Sequence, residues 1–247
     1  MKKALEETIG VDAVYCINLD RRPERWERAR NAIVMAGFPS VQRVSAVDGA
    51  DVGFDDARLS VRLASIVKTT HTAPLGVKRG VIGCYLSHLA VWQKVVLGGV
   101  KRCVIFEDDV RFVPDFAAAL AADVDRIDLD SLDAYFFGYL KRAALAPDGR
   151  LRGRIWGTQS YLVTQLGAQK LLERALPLTE AIDEHFEHLT LLDDSVRVFC
   201  TAKSLVGQDS IVSDVQPISY VFGNKISRLI QYLLVMGVVA AVVWMLI

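Results

Sequence analysis

The segment Cys103-Val104-Ile105-Phe106-Glu107-Asp108-Asp109-Val110 constrains this chain more than any other. Four apolar residues run into three carboxylates and then return to an apolar residue. That is the pattern of a buried strand with acids at its end. Three acids packed there repel one another and raise their own pKa values. A divalent cation removes that penalty, and hard cations prefer oxygen ligands of this type. On an extended backbone Glu107 and Asp109 project to the same side, roughly 7 Å apart. Such a span suits one acid on a metal and another on a sugar or a water. For an acidic triplet taken alone, the competing reading is a solvated strand end with no ligand.

The flanking sequence alternates strand and helix signals. Val14 to Leu19 reads as a buried strand, broken at Asp20-Arg21-Arg22-Pro23. A helix follows with Pro23 near its first turn, with Trp26, Ala29, Ile33 and Ala36 at helical spacing and Gly37 as its stop. Val41 to Val47 is a shorter strand. From Ala50 to Arg79 periodicity is poor, as in a variable loop or lid with a short helix. Ile82 to Leu97 is a helix ended by Gly98-Gly99, and another runs from Pro114 to about Ala122. Ala134 to Gly138 is a strand, and Tyr139 to Ile155 is a hairpin turning at Ala146-Pro147-Asp148-Gly149. Ser160 to Thr164 and Val196 to Cys200 are strands, with a helix over Gly167 to Leu176 between them. This alternation predicts one α/β domain with a largely parallel sheet, whose ligands sit at the carboxyl ends of the strands. Asn18 to Arg21 and Glu107 to Asp109 both fall at that end.

Composition adds an anchor and removes some partners. Of 247 residues 52% are hydrophobic, and part of that surplus is one block: Leu229 to Ile247 carries no charge. As a helix it covers roughly 28 Å, close to the hydrocarbon thickness of a bilayer. Lys225 and Arg228 stand just before it, so the positive-inside tendency keeps the N-terminal bulk cytoplasmic. The alternative is a buried C-terminal helix. No apolar secretory segment follows Lys2 and Lys3. Cys16, Cys84, Cys103 and Cys200 form no CxxC pair, which fits buried thiols in a reducing compartment. The formal charge is zero, so there is no case for nucleic acid as the main partner. The expected organisation is a catalytic domain over 1–224 and a juxtamembrane segment with a transmembrane helix over 225–247. Such a protein is membrane-anchored with its domain in the cytoplasm, at the inner membrane if bacterial.

Four segments together resemble glycosyltransferase family 25, the lipopolysaccharide and procollagen galactosyltransferase family. They are Tyr15 to Arg25 (YCINLDRRPER), Gly83 to His88 (GCYLSH), Phe106 to Val110 (FEDDV), and Gly157 to Tyr161 through Gly167 to Leu172. The resemblance implies a GT-A-like, Rossmann-type nucleotide-sugar-binding domain. It also implies a UDP-sugar donor, usually UDP-galactose, an inverting transfer, and a Mn2+ (or Mg2+) ion held by the acidic motif. The family often shows an acid before Ile-Gly-Cys, where this chain has Val81.

Under this resemblance Asp109 is the candidate direct metal ligand, with Glu107 as a second. Glu107 and Asp108 are also candidates for holding ribose, donor sugar or a metal-bound water. Asn18 and Arg21 stand where a uracil base or a phosphate would lie, since an amide can pair a base edge and a guanidinium can fork a phosphate. Arg25 belongs with them, or else to a solvated basic helix start. Ser87 and His88 are donor-binding candidates, although a lone helical histidine is commonly a hydrogen-bonded structural residue. Asp183 and Glu184 are candidates for the general base that takes the acceptor hydroxyl proton, with helix capping as the alternative. The leading function is transfer of a hexose, which the resemblance makes galactose, to a glycan or lipid-linked saccharide such as a lipopolysaccharide core. A non-catalytic nucleotide-sugar-binding membrane adaptor is the alternative, and a metal-dependent phosphohydrolase is a third reading.

Overall fold

The computed structural model describes residues 4–53, 55–60, 64 and 79–209. Along the chain come helix α1 (Leu5–Thr8), strand β1 (Ala13–Asn18), α2 (Pro23–Met35), β2 (Gln42–Ser45), a 3-10 turn (Gly49–Asp51), α3 (Arg79–Leu97), β3 (Arg102–Glu107) and β4 (Val110–Phe112). There follow α4 (Phe116–Val124), β5 (Ala134–Gly138), β6 (Lys141–Arg142), β7 (Ile155–Trp156), β8 (Ser160–Thr164), α5 (Gln165–Arg174), α6 (Ile182–Leu192), β9 (Val198–Cys200) and β10 (Val206–Gln208). The lid expected over 50–79 lies mostly outside the described residues, and the juxtamembrane segment and transmembrane helix expected over 225–247 lie wholly outside them.

A six-stranded sheet in the order β2-β1-β3-β8-β5-β9 carries the fold. β1 is parallel to β2 and β3, and β5 is parallel to β9. β8 is antiparallel to both of its neighbours, so the sheet is mixed and parallel-rich rather than uniformly parallel. The reversal has a local consequence. The start of β8 lies beside the end of β3, with Phe106 opposite Ser160 and the Glu107 amide donating to the Gln159 carbonyl at 3.0 Å. The expected hairpin is present as β6 paired with β7, and β4 pairs with β10 in a small separate sheet.

Every residue of β1, β5 and β8 is buried, as are the four apolar residues of β3. Alternating side chains feed two cores. Tyr15, Ile17, Cys103, Ile105, Phe136 and Tyr161 pack with Tyr85, Trp92, Leu171 and Phe186 of α3, α5 and α6. Val14, Cys16, Val104, Phe106, Tyr135 and Leu162 pack with Ala29, Ile33, Phe116 and Leu120 of α2 and α4. The result is helices on both faces of one sheet. By length and apolarity α3 also passes for a membrane span, but ten of its residues are buried, seven of them in the first core, so it is a core helix.

β1 and β3 are adjacent, but the chain leaves β1 for β2 on one side before crossing to β3 on the other. Strand order therefore reverses between β1 and β3, the place where open α/β sheets bind ligands beyond the strand ends. In register Ile17 stands opposite Glu107, which puts Asn18 and Asp108 at the mouth of that reversal.

Candidate active site

Alternation along β3 decides where the three acids point. Glu107 continues the side of Cys103 and Ile105, toward α3, whereas Asp108 turns toward α2. The strand ends at Glu107, and Asp108 and Asp109 make the turn into β4. The extended geometry expected for Glu107 to Asp109 is thus corrected: the chain bends there, and each acid meets a different set of partners.

Asp108 is buried on the α2 side. Asn18 Nδ2 donates to its Oδ2 at 2.7 Å, and Arg25 of α2 is ion-paired to its Oδ1. Asn18 is fully buried, also donates to the Arg22 carbonyl at 2.9 Å, and accepts from Arg43 Nε at 2.7 Å. It therefore joins the loop after β1, the acid turn and β2. Arg25 also lies 3.8 Å from Asp109. Arg21 is half-exposed and pairs with Asp48 at 2.7 Å, at the rim.

Glu107 faces α3. Thr158 Oγ1 donates to its Oε1 at 2.7 Å, and His88 Nε2 lies 3.4 Å from the same oxygen. His88 is fully buried, and its Nδ1 meets the Tyr161 hydroxyl at 2.8 Å. Trp92 Nε1 donates to that hydroxyl at 2.9 Å, which leaves the Tyr161 proton for His88 Nδ1 and puts the imidazole proton on Nε2, toward Glu107. Burial pushes the Glu107 carboxyl up, but His88, Thr158 and Arg25 outweigh it and hold the group below its usual range.

Asp109 is the acid left over. Burial, followed by the charge of Glu107 and then Asp108, raises its pKa to about 8 against the opposing pull of Arg25. Its Oδ1 is buried with no hydrogen-bond partner among the described residues. An orphaned carboxylate oxygen crowded by two other acids is what a hard divalent cation would satisfy. On that ground the oxygen donors here fit a Mn2+ or Mg2+ ion.

Ser87 is buried and works within the fold. Its hydroxyl donates to the Gly83 carbonyl at 2.6 Å and accepts from the Val47 amide at 2.8 Å. Gly83 is required at this contact, because a Cβ there would stand 2.5 Å from the Val47 oxygen. The two residues clamp α3 to the loop after β2 and so hold His88 and Cys84 beside Glu107 at the end of β3. Cys84 is partly buried, and its thiol is pushed up by burial and by Glu107, Asp183 and Asp109, with Thr158 opposing as a hydrogen-bond partner.

Asp183 and Glu184 separate in role. Glu184 Oε2 accepts from the Ala181 amide at 3.0 Å, closing the N-terminus of α6. Asp183 accepts from the Glu184 amide at 3.1 Å, and burial keeps its pKa above the usual carboxylate value against the opposing pull of the Gly157 and Glu184 amides. Gly157 has φ of +88°, a conformation that an L side chain rarely adopts. Asp183 is close enough for its charge to act on Cys84. The structure thus brings together Asn18, Arg25, His88, Glu107, Asp108 and Asp109, with Asp183 near Cys84 and Arg21 at the rim. Thr158, Tyr161, Trp92 and Cys84 join the site without having been singled out as functional residues. Thr158, Tyr161 and Cys84 lie inside the quoted segments, so position in a motif was the one available signal.

A mixed sheet with helices on both faces and a buried carboxylate turn at its switch point puts the protein in the α/β class. The chain belongs to glycosyltransferase family 25: the model of that family (LPS biosynthesis protein) matches residues 11–148. A glycosyltransferase 25 family member of Aedes aegypti is 32% identical over 196 residues, 74% of this chain and 32% of that protein. The inactive glycosyltransferase 25 family member 3 of Homo sapiens is 31% identical over 195 residues, 72% of this chain and 32% of that protein. Procollagen galactosyltransferase 2 of Homo sapiens is 29% identical over 179 residues, 67% of this chain and 28% of that protein. The chain therefore spans about a third of the length of these curated relatives.

Proposed function

We propose that this protein transfers a hexose, galactose in the first instance, from a UDP-sugar to a glycan acceptor on a GT-A-type domain. The observation that carries the reading is the acid turn at the β1/β3 reversal, with Asp109 Oδ1 buried and unpartnered among the described residues. Asp109 and Glu107 are the residues to hold Mn2+ or Mg2+, which when bound supplies Lewis-acid stabilisation of the charge on the departing nucleotide diphosphate. Asp108 is already engaged by Asn18 and Arg25, so its part is to brace the turn. Arg25 and Arg21 provide positive charge toward the diphosphate. Asp183, with its raised pKa, takes the acceptor hydroxyl proton as that oxygen attacks the anomeric carbon and the sugar–phosphate bond breaks. The apolar block of 229–247 supports a membrane-anchored protein whose acceptor is a lipid-linked or lipopolysaccharide-core saccharide.

The test is transfer from a panel of UDP-sugars with Mn2+, with EDTA, and with Asp109→Asn. Transfer from one donor that EDTA abolishes and that Asp109→Asn lowers on the order of 100-fold or more is the expected result. Full transfer by a well-folded Asp109→Asn variant would sink the metal assignment. A second reading, a nucleotide-sugar-binding membrane adaptor without turnover, is favoured by Val81 in place of the usual acid and by the relatives named inactive. Tight UDP binding with no transfer to any acceptor would select it.

A further inference from the structure

We propose that Cys84, His88 and Glu107 form a binding site for a thiophilic divalent cation of the Zn2+ class, overlapping the acid turn. One ligand atom from each residue lies within 4.8 Å of the other two. Cys84 and His88 are four apart on α3 and so share a helix face, while Glu107 meets them from the end of β3. The set is sulfur, imidazole nitrogen and carboxylate, a borderline-soft combination unlike the all-oxygen set around Asp109. Three protein ligands with a fourth position open is the form of an exchangeable zinc site.

The surroundings are built as a metal's outer shell is built. The Nδ1 of His88 is fixed by the Tyr161 hydroxyl at 2.8 Å, and that hydroxyl is fixed by Trp92 at 2.9 Å. Glu107 is fixed by Thr158, whose hydroxyl donates to it at 2.7 Å. Outer-shell partners of this kind orient the ligands. On binding, the Cys84 thiol loses its proton to solvent as the sulfur–metal bond forms. Without a metal Nε2 carries the imidazole proton, so on binding that proton moves to Nδ1, which then donates to the Tyr161 oxygen as the hydroxyl turns its own proton away from His88. His88 is fully buried, but Cys84 and Glu107 are partly exposed, which leaves a way in. Because Glu107 belongs to both donor sets, Zn2+ here withdraws it from the oxygen site, so such a cation inhibits any reaction that needs Glu107 there.

The test uses Co2+ as a spectroscopic probe on the full-length chain, with Zn2+ in competition. The expected result is a thiolate-to-cobalt charge-transfer band that Zn2+ displaces and that Cys84→Ser abolishes. Zn2+ affinity should fall at least about tenfold in that variant, whereas Asp109→Asn keeps the band. Three results overturn the proposal: Co2+ bound without a thiolate band, equal Zn2+ affinity in Cys84→Ser, or loss of the band in Asp109→Asn. No donor or turnover enters the readout, so its failure is separate from failure of the transferase reading.

Discussion

Asn18 has both ends of its amide engaged, with Arg22 and Asp108 on the nitrogen and Arg43 on the oxygen. Asn18→Ala leaves a buried carboxylate and a guanidinium short of partners, so a loss of about 2–3 kcal/mol is expected, read from urea denaturation. His185 offers a second test at this scale. Burial, with His188 beside it, lowers its pKa from 6.5 to about 4. Between those values the folded state binds fewer protons than the unfolded chain. Its contribution is therefore fully present above pH 6.5 and is lost as pH falls toward 4. The melting temperature should drop across that window, by the equivalent of on the order of 3 kcal/mol at full titration. His185→Gln should flatten the decline, and an unchanged slope in that variant would assign the acid sensitivity elsewhere. Asn18 was legible as a site residue, because it ends a buried strand with a polar group. Its duty as a brace was not, since Asp108 lies 90 positions away.

Elements were read well where their periodicity is local. The Pro23 start and the Gly37 stop bracket α2, and the Ala146 to Gly149 turn joins β6 to β7. Two features escaped. The bounds of α6 are marked in the sequence only by the capping alternative at Asp183 and Glu184, because its start at Ile182 follows no Ser, Thr, Asp or Asn cap and is closed instead by Glu184 reaching back. The direction of β8 was not legible either, since an apolar run looks the same in both directions. That direction matters, because it is what delivers Thr158 to Glu107. The α3 clamp predicts that Gly83→Ala, which pushes a Cβ to 2.5 Å from the Val47 oxygen, costs about 1–3 kcal/mol. It should also loosen His88, which hydrogen exchange on α3 and thermal melting would both detect. A Gly83→Ala variant as stable as wild type would show that the loop yields freely.

For the whole molecule, the two candidate bases give the most direct test, because α6 assigns them different work. Asp183→Asn is expected to lower transfer by ~100-fold or more with little change in stability. Glu184→Ala should instead cost about 1 kcal/mol of stability and leave transfer within a few-fold. The reverse pattern in steady-state rates and melting curves would exchange the roles. By itself the sequence determined the alternation of strands and helices, the burial of the strand before Glu107, and the four segments that mark the family. Those are local signals, carried by period-2 and period-3.6 patterning and by turn residues that act within a few positions. The tertiary structure alone decided which acid does what. Glu107 is held by residues 19 and 51 positions away, and Asp108 by residues on β1 and α2, leaving Asp109 Oδ1 without a hydrogen-bond partner among the described residues. Such a division depends on which side of the sheet each side chain emerges and on what the chain has folded against it. No stretch of sequence contains that information until distant segments meet.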